Sequence, residues 1–236
     1  MADDGEAEVI LAGPGLVVAW MIAAMAASTE GCSGLAASTA ADAAAQVVVV
    51  CSERGTHTEM GDGIKIWYPL LSPLLRTLSQ IGVSDTATPR AMSALLRLAE
   101  TAVTVGDWDA AAEAGTALAG VARHSPSSMA NIPSSTIQAL LKLAQLALPS
   151  GDAGTLSADS DPGSDFQSQR DVVVASALAA ASMADASDVC RAGGTALAVQ
   201  ALSQYMSAID QRRHIAGSPA DNIVPETAPS AVGESA

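Results

Sequence analysis

"ALLRLAETAVTVGD" occupies residues 94–107, and "ALLKLAQLALPSGD" occupies residues 139–152, 45 positions further on. The two phrases agree at most positions, with Lys142 answering Arg97 and Gln145 answering Glu100. Leu95, Leu98, Ala99 and Ala102 recur at helical spacing, so the phrase reads as an amphipathic helix with a Gly-Asp stop. A helix written twice predicts helical pairs that each bury a Leu/Ala face on the next. A weaker echo, "AGTALA" at 114–119 and "GGTALA" at 193–198, has a spacing of 79 residues and so a different register.

Working outward, the punctuation is that of helices. Thr88 and Pro89 suit the N-cap and first position of the helix carrying the first phrase, and Asp107 caps a second helix over 108–123. Ser134 or Ser135 opens the repeated helix, which stops at Leu148 before Pro149. A loop rich in Gly, Ser and Asp follows over 150–169, then helices over 172–183 and 189–213, the last capped by Ser187. Upstream, Leu71, Leu74, Leu75 and Leu78 mark a helix over 69–81 with Pro69 and Pro73 in its first turns, and 35–46 is an Ala-rich helix. "QVVVVC" and "GIKIWY" flank the Gly-rich "SERGTHTEMGDG" and read as a small β-hairpin within 46–68. The expected fold is therefore mainly α: a helical bundle or short helical-repeat domain with extended N- and C-terminal arms. Its parts are an N-terminal arm and apolar helix (1–30), a helical core (31–214) and an extended C-terminal arm (215–236).

With 49% hydrophobic residues among 236, the chain can bury a substantial core. A net charge of -14 makes copies repel one another and argues against diffuse attraction to nucleic acid or anionic lipid. Any RNA contact must then use a local groove, and cations on adjacent helices are its source: Arg97 and Lys142 at matching positions of the echo, with Arg123 and Arg170. Ala supplies 50 residues, whereas Lys, Asn, Tyr and Phe together supply seven, a bias that a G+C-rich genome would produce without any function.

No pattern names a reaction. Cys32, Cys51 and Cys190 form neither a CxxC pair nor an even-numbered framework, which fits a reduced intracellular compartment. His57, His124 and His214 are scattered, and "THTE" at 56–59 has no second His nearby, so neither a metal nor a cofactor is expected. "EGCSG" is not a nucleophile elbow, "GPG" and "GDG" lack a phosphate-binding fingerprint, and Glu53, Glu59 and Asp62 read as a solvated loop. The chain is expected not to be an enzyme.

Residues 9–28 carry no charge, but Gly13-Pro14-Gly15 interrupts them, the preceding residues are acidic, and no Lys or Arg occurs before Arg54. The remaining helix, 16–27, reaches about 18 Å against a bilayer core of about 30 Å. It is expected to pack in the core or against a neighbouring subunit through Leu16, Trp20 and Met21, rather than to span a membrane. The terminal residues 216–236 have little means of burying themselves, so their order is expected to come from a groove on another copy. Ile223, Val224 and Val232 are the anchors there, and with Trp20 they form the candidate assembly set.

Three resemblances bear on function. Leu98, Ala99, Ala102, Gly106, Asp107, Trp108 and Ala111 resemble the helix-turn-helix spacing of a tetratricopeptide repeat over 94–123, although Ala153 stands in the second copy where Trp108 stands in the first. That resemblance implies an adaptor binding a protein partner. The Ala/Ser/Pro-rich, nearly all-helical layout between extended arms is similar to the coat proteins of flexuous filamentous RNA viruses. "SDFQSQRD" at 164–171 echoes only the Asp-Phe of that family's RNA pocket. The composition also resembles the proline-alanine-serine-rich proteins that coat the RNA of some fungal viruses. These two imply a self-assembling coat subunit enclosing RNA, with copies of itself as partners, in a virion or the host cytoplasm.

Overall fold

A computed structural model describes residues 14–26, 28, 30–31, 34, 39–55, 62–148 and 163–216. These contain ten helices and no strand: α1 (Pro14–Ala26), α2 (Ala40–Gly55), α3 (Asp62–Ile81), α4 (Thr88–Val105), α5 (Trp108–His124), α6 (Pro126–Met129), α7 (Ser134–Ala147), α8 (Gly163–Ala181), α9 (Ala186–Arg191) and α10 (Gly194–Ala216). Packing divides the chain into two units, Met1–Val199 and Gln200–Ala236. The second is represented among the described residues by the later turns of α10.

Within the first unit the helices alternate between two layers. One layer is α2, α4, α7 and α9, each against the next, and the other is α1, α3, α5 and α8. Across the layers α2 pairs with α3, α4 with α5, and α7 with α8. The architecture is three stacked helical hairpins with one further helix at each end, and the single turn α6 sits on α5.

The echo explains the stacking. Leu95, Leu96, Leu98, Ala99 and Ala102 of α4 are all buried, and so are Leu140, Leu141, Leu143, Ala144 and Ala147, the residues 45 positions on in α7. Each of those leucines contributes about 1.5–3 kcal/mol by leaving water. The exposed faces match too, with Arg97 over α4 and Lys142 over α7. The weaker echo has no such equivalence, because 114–119 lies in α5 and 194–198 in α10.

Loops stack with a similar step. Ser84 N–H donates to Asp42 Oδ1 at 2.9 Å, and Ser125 Oγ donates to the Val83 carbonyl at 3.1 Å. The hydroxyls of Ser127 and Ser128 donate to the two carboxylate oxygens of Asp85, each at 2.9 Å. The α4–α5 turn closes as the sequence indicates: Gly106 adopts φ 77° and Asp107 Oδ1 accepts from Ala110 N–H at 3.1 Å.

Five expectations are corrected. α8 begins at Gly163, so 163–169 of the segment expected to be a loop is helix. The hairpin within 46–68 is helix over 46–55 and 62–68, because Ala44, Ala45, Val48 and Cys51 form a buried face at helical spacing that outweighs the β-preference of the Val run. α3 begins at Asp62, so Pro69 and Pro73 lie inside it, beyond its first turn. α4 is entered from Ala87 without a side-chain cap, and the Thr88 hydroxyl donates backward to the Ser84 carbonyl at 2.9 Å. The last predicted helix is two: Gly193 at φ 88° ends α9, and Asp185, not Ser187, caps it.

Candidate functional site

Arg97 and Lys142 are exposed on neighbouring helices of the α2–α4–α7 layer. Lys142 Nζ lies 3.6 Å from Glu100 Oε1, so the Lys142–Glu100 pair bridges α4 and α7. Arg90, exposed in the first turn of α4, adds a third cation to this layer. Glu100 is the only acid in α4 or α7, which together carry three cations in a chain of net charge -14. These two helices therefore hold a local excess of positive charge on an otherwise acidic molecule.

The other two candidate cations lie in the opposite layer. Arg123 is exposed in the last turn of α5, whereas Arg170 is beside the first residue of that helix. The Arg170 guanidinium stands 4.9 Å from the centre of the Trp108 ring, and its Nε donates to the Ala147 carbonyl at 3.2 Å. The structure therefore brings Arg97 and Lys142 together and leaves Arg123 and Arg170 at opposite ends of α5. Sequence reasoning missed Arg90, whose only signal was its place on the exposed stripe of the repeated helix.

Between α2 and α4 a cleft of about 240 Å³ is lined by Asp42, Gln46, Thr86 and Arg90 among others. Asp42 already accepts the Ser84 N–H there. Among the described residues no group of three His, Cys, Asp or Glu side chains is placed to hold a metal ion. Cys51 is buried, Cys190 is exposed with its Sγ 3.4 Å from the Thr195 hydroxyl, and His124 is exposed against Gly82. The side chains of Cys32, His57, Glu53, Glu59, Asp62 and His214 lie outside the described residues.

Apolar exposure is the second feature. Among the described side chains the exposed large apolar ones are Met21 and Met25 of α1, Val47 and Val50 of α2, Leu146 of α7, Val172 of α8, Met183 just after it, and Val199, Leu202, Met206 and Ile209 of α10. Among the described side chains α3, α4 and α5 contribute none. The four on α10 fall at i, i+3, i+7 and i+10, one continuous stripe whose members are 46–63% exposed.

Met21, expected to pack in the core or against a neighbouring subunit, is 59% exposed within this chain, where α1 packs on α3 with Ala19 and Ala26 buried and Ile22 partly buried. The Trp20 and Leu16 side chains, and Ile223, Val224 and Val232, lie outside the described residues. Among the described residues no helix is long and apolar enough to cross a membrane. No family model, no curated protein and no solved structure matches this chain.

Proposed function

We propose that this chain is a structural subunit that assembles with copies of itself, as a coat enclosing RNA. The observation carrying this reading is that exposed large apolar side chains gather on α1, α2, α7, α8 and α10, while among the described side chains the middle helices α3, α4 and α5 expose none. Contiguous exposed apolar surface marks an interaction site, and burying each Met, Leu or Ile would contribute about 1.5–3 kcal/mol. Copies otherwise repel through their acidic surfaces, so contact is confined to faces without charge.

RNA enters through the basic face. Arg90 and Arg97 lie about two turns apart on α4 and Lys142 lies on the neighbouring α7, a cluster that suits phosphates along a single strand. Electron microscopy with light scattering tests assembly: large regular particles support the reading, and a monomer at all concentrations refutes it. Absorbance ratio and nuclease release test the RNA. Replacing Arg97, Arg123, Lys142 and Arg170 with Gln should lower nucleic acid content, chiefly through Arg97 and Lys142; particles that hold no RNA before or after would remove the RNA role.

A tetratricopeptide-like adaptor is the second reading. It is favoured by the α4–α5 hairpin, in which Gly106, Asp107 and Trp108 build the tight turn, and by the hairpins stacked on either side of it. An adaptor would remain small and carry its partner along the α2–α4–α7 layer.

A further inference from the structure

Both ends of the α1–α3–α5–α8 layer are helices of an unusual kind. α1, Pro14–Ala26, has no charged or hydrogen-bonding side chain apart from the Trp20 indole, and in α8 the stretch 172–181 has a single polar residue, Ser176. The inner helices of the same layer have distinct polar faces, with Arg76 on α3 and Thr116 and Arg123 on α5 exposed. A helix that is apolar all round belongs between neighbours on every side. Yet α1 packs only on α3 within its layer, and α8 only on α5.

The outward faces of these end helices carry exposed apolar side chains of different size, long on α1 and short on α8. On α1 the exposed residues include Met21 and Met25, one helical turn apart. On α8 the exposed residues Val172, Ala175 and Ala179, with Met183 beyond the helix end, follow one face. Ala175 and Ala179 are also four residues apart, so they leave two shallow seats at the same spacing of about 6 Å as the two Met side chains. The contact already present between α5 and α8 uses small residues in this way: a Cβ on Gly115 would stand 3.4 Å from the Ser176 Cβ. Neither α1 nor the 172–181 stretch of α8 contains a charged residue, although the chain as a whole is strongly acidic, so two copies can meet on these stretches with little repulsion.

We infer that α1 of one copy docks on the outer face of α8 of another, with Met21 and Met25 seated over Ala175 and Ala179, continuing the layer from subunit to subunit. The occupant is a second copy of this chain, and the interface is heterologous: each subunit offers one head, α1, and one tail, α8. Repetition of such a contact generates an open polymer unless the rotation per subunit closes a ring. This rests on the self-assembly reading and states which surfaces carry it.

The full-length chain with Met21→Glu and Met25→Glu loses its head, and the chain with Ala175→Glu and Ala179→Glu loses its tail. All four sites are exposed, so each variant should keep the wild-type circular dichroism. Each alone should need at least about 100-fold more protein to associate, because the glutamates would be buried unpaired. An equimolar mixture should form 1:1 heterodimers and nothing larger in light scattering, since one intact head meets one intact tail. As a second measurement, a photo-crosslinker at position 179 of the wild-type background should capture the 14–26 segment of another copy by mass spectrometry. Variants that polymerise like wild type, a mixture that stays monomeric, or crosslinks only to α10 would overturn the inference while leaving assembly itself standing. Leu202→Asp with Met206→Asp, placed on the α10 stripe, should leave the heterodimer intact; its loss would move the interface there. A wild-type chain that never associates removes the assembly reading as well.

Discussion

Arg170 reaches across from α8 to stack on Trp108 of α5, 4.9 Å from the ring centre, while its Nε donates to the Ala147 carbonyl at the end of α7. One side chain thereby ties three helices. The carbonyl belongs to the last turn of α7, where the negative end of the helix dipole favours a cation. In the second copy of the echo Ala153 replaces Trp108. The Trp of the first copy serves the hairpin of the second.

Arg170→Met keeps the aliphatic stem and removes both the stacking and the hydrogen bond, so it should cost about 1–2 kcal/mol. Trp108→Ala should cost about 2–3 kcal/mol, because the half-buried ring also loses packing. In urea denaturation the double variant should show a coupling of about 0.5–1 kcal/mol. Strict additivity would mean that the stacked geometry contributes nothing.

Close approach of α3 and α5 depends on Gly120. A Cβ there would press into the backbone Cα and carbonyl oxygen of Ser79, well inside contact distance, and backbone atoms have no rotamer with which to yield. Gly120→Ala should therefore destabilise by about 3 kcal/mol or more despite the better helix propensity of Ala. Gly115→Ala, earlier on the same helix and facing α8, meets only ordinary contacts and should be neutral or stabilising by up to about 1 kcal/mol. Thermal melts of the two variants separate the cases, and equal shifts would refute the packing argument.

The stacking is legible in the amino-acid order because it is written in side-chain period. Leu95 with Leu140, and Ala99 with Ala144, announce equivalent buried faces by their spacing alone, and Gly106 with Asp107 announces the turn between α4 and α5. Residues 46–55 point the wrong way because four successive valines favour a strand locally, and only the buried face through Ala44, Val48 and Cys51 decides for helix. The break at Gly193 is hidden because a lone Gly between Ala-rich stretches does not disclose a positive φ. The basic face is half legible: Arg97 and Lys142 share a repeat position, whereas the partner of Arg170 is 62 residues away in sequence and no local pattern points to it. The apolar ends of the layer are harder still, since whether a uniformly apolar helix lies inside or at an end depends on the order of the helices.

Coupling between successive hairpins should be measurable at Asp85, whose carboxylate takes the hydroxyls of both Ser127 and Ser128. Asp85→Ala should lower stability by about 1–2 kcal/mol through two lost charge-assisted hydrogen bonds at an exposed loop. Because that loop joins one hairpin to the next, hydrogen exchange should quicken around α6 before it does within α4. Uniform acceleration would mean that the first unit unfolds as one cooperative block.

The last prediction concerns acid. Asp185 caps the six-residue helix α9, and its carboxyl is held below the usual carboxylate range first by the Ser187 hydroxyl, then by the backbone N–H groups of Ser187 and Asp188, with the charge of Arg191 last. A carboxyl depressed in the folded state contributes stability that is present above its unfolded value of about 3.9 and is lost as pH falls through the lower folded value. The Ser187 and Asp188 amide resonances should accordingly shift with a midpoint below about 3.9. α9 should fray in that range while α4 and α5, whose leucines are buried, remain helical. Asp185→Asn keeps an acceptor at the cap and should hold α9 together while abolishing the pH dependence. Added salt separates the causes: hydrogen bonds to the carboxylate are insensitive to it, whereas an Arg191 attraction at an exposed site is screened. The midpoint should therefore stay nearly constant between low and high salt, and a rise toward the ordinary value on adding salt would assign the shift to Arg191 instead of to the cap.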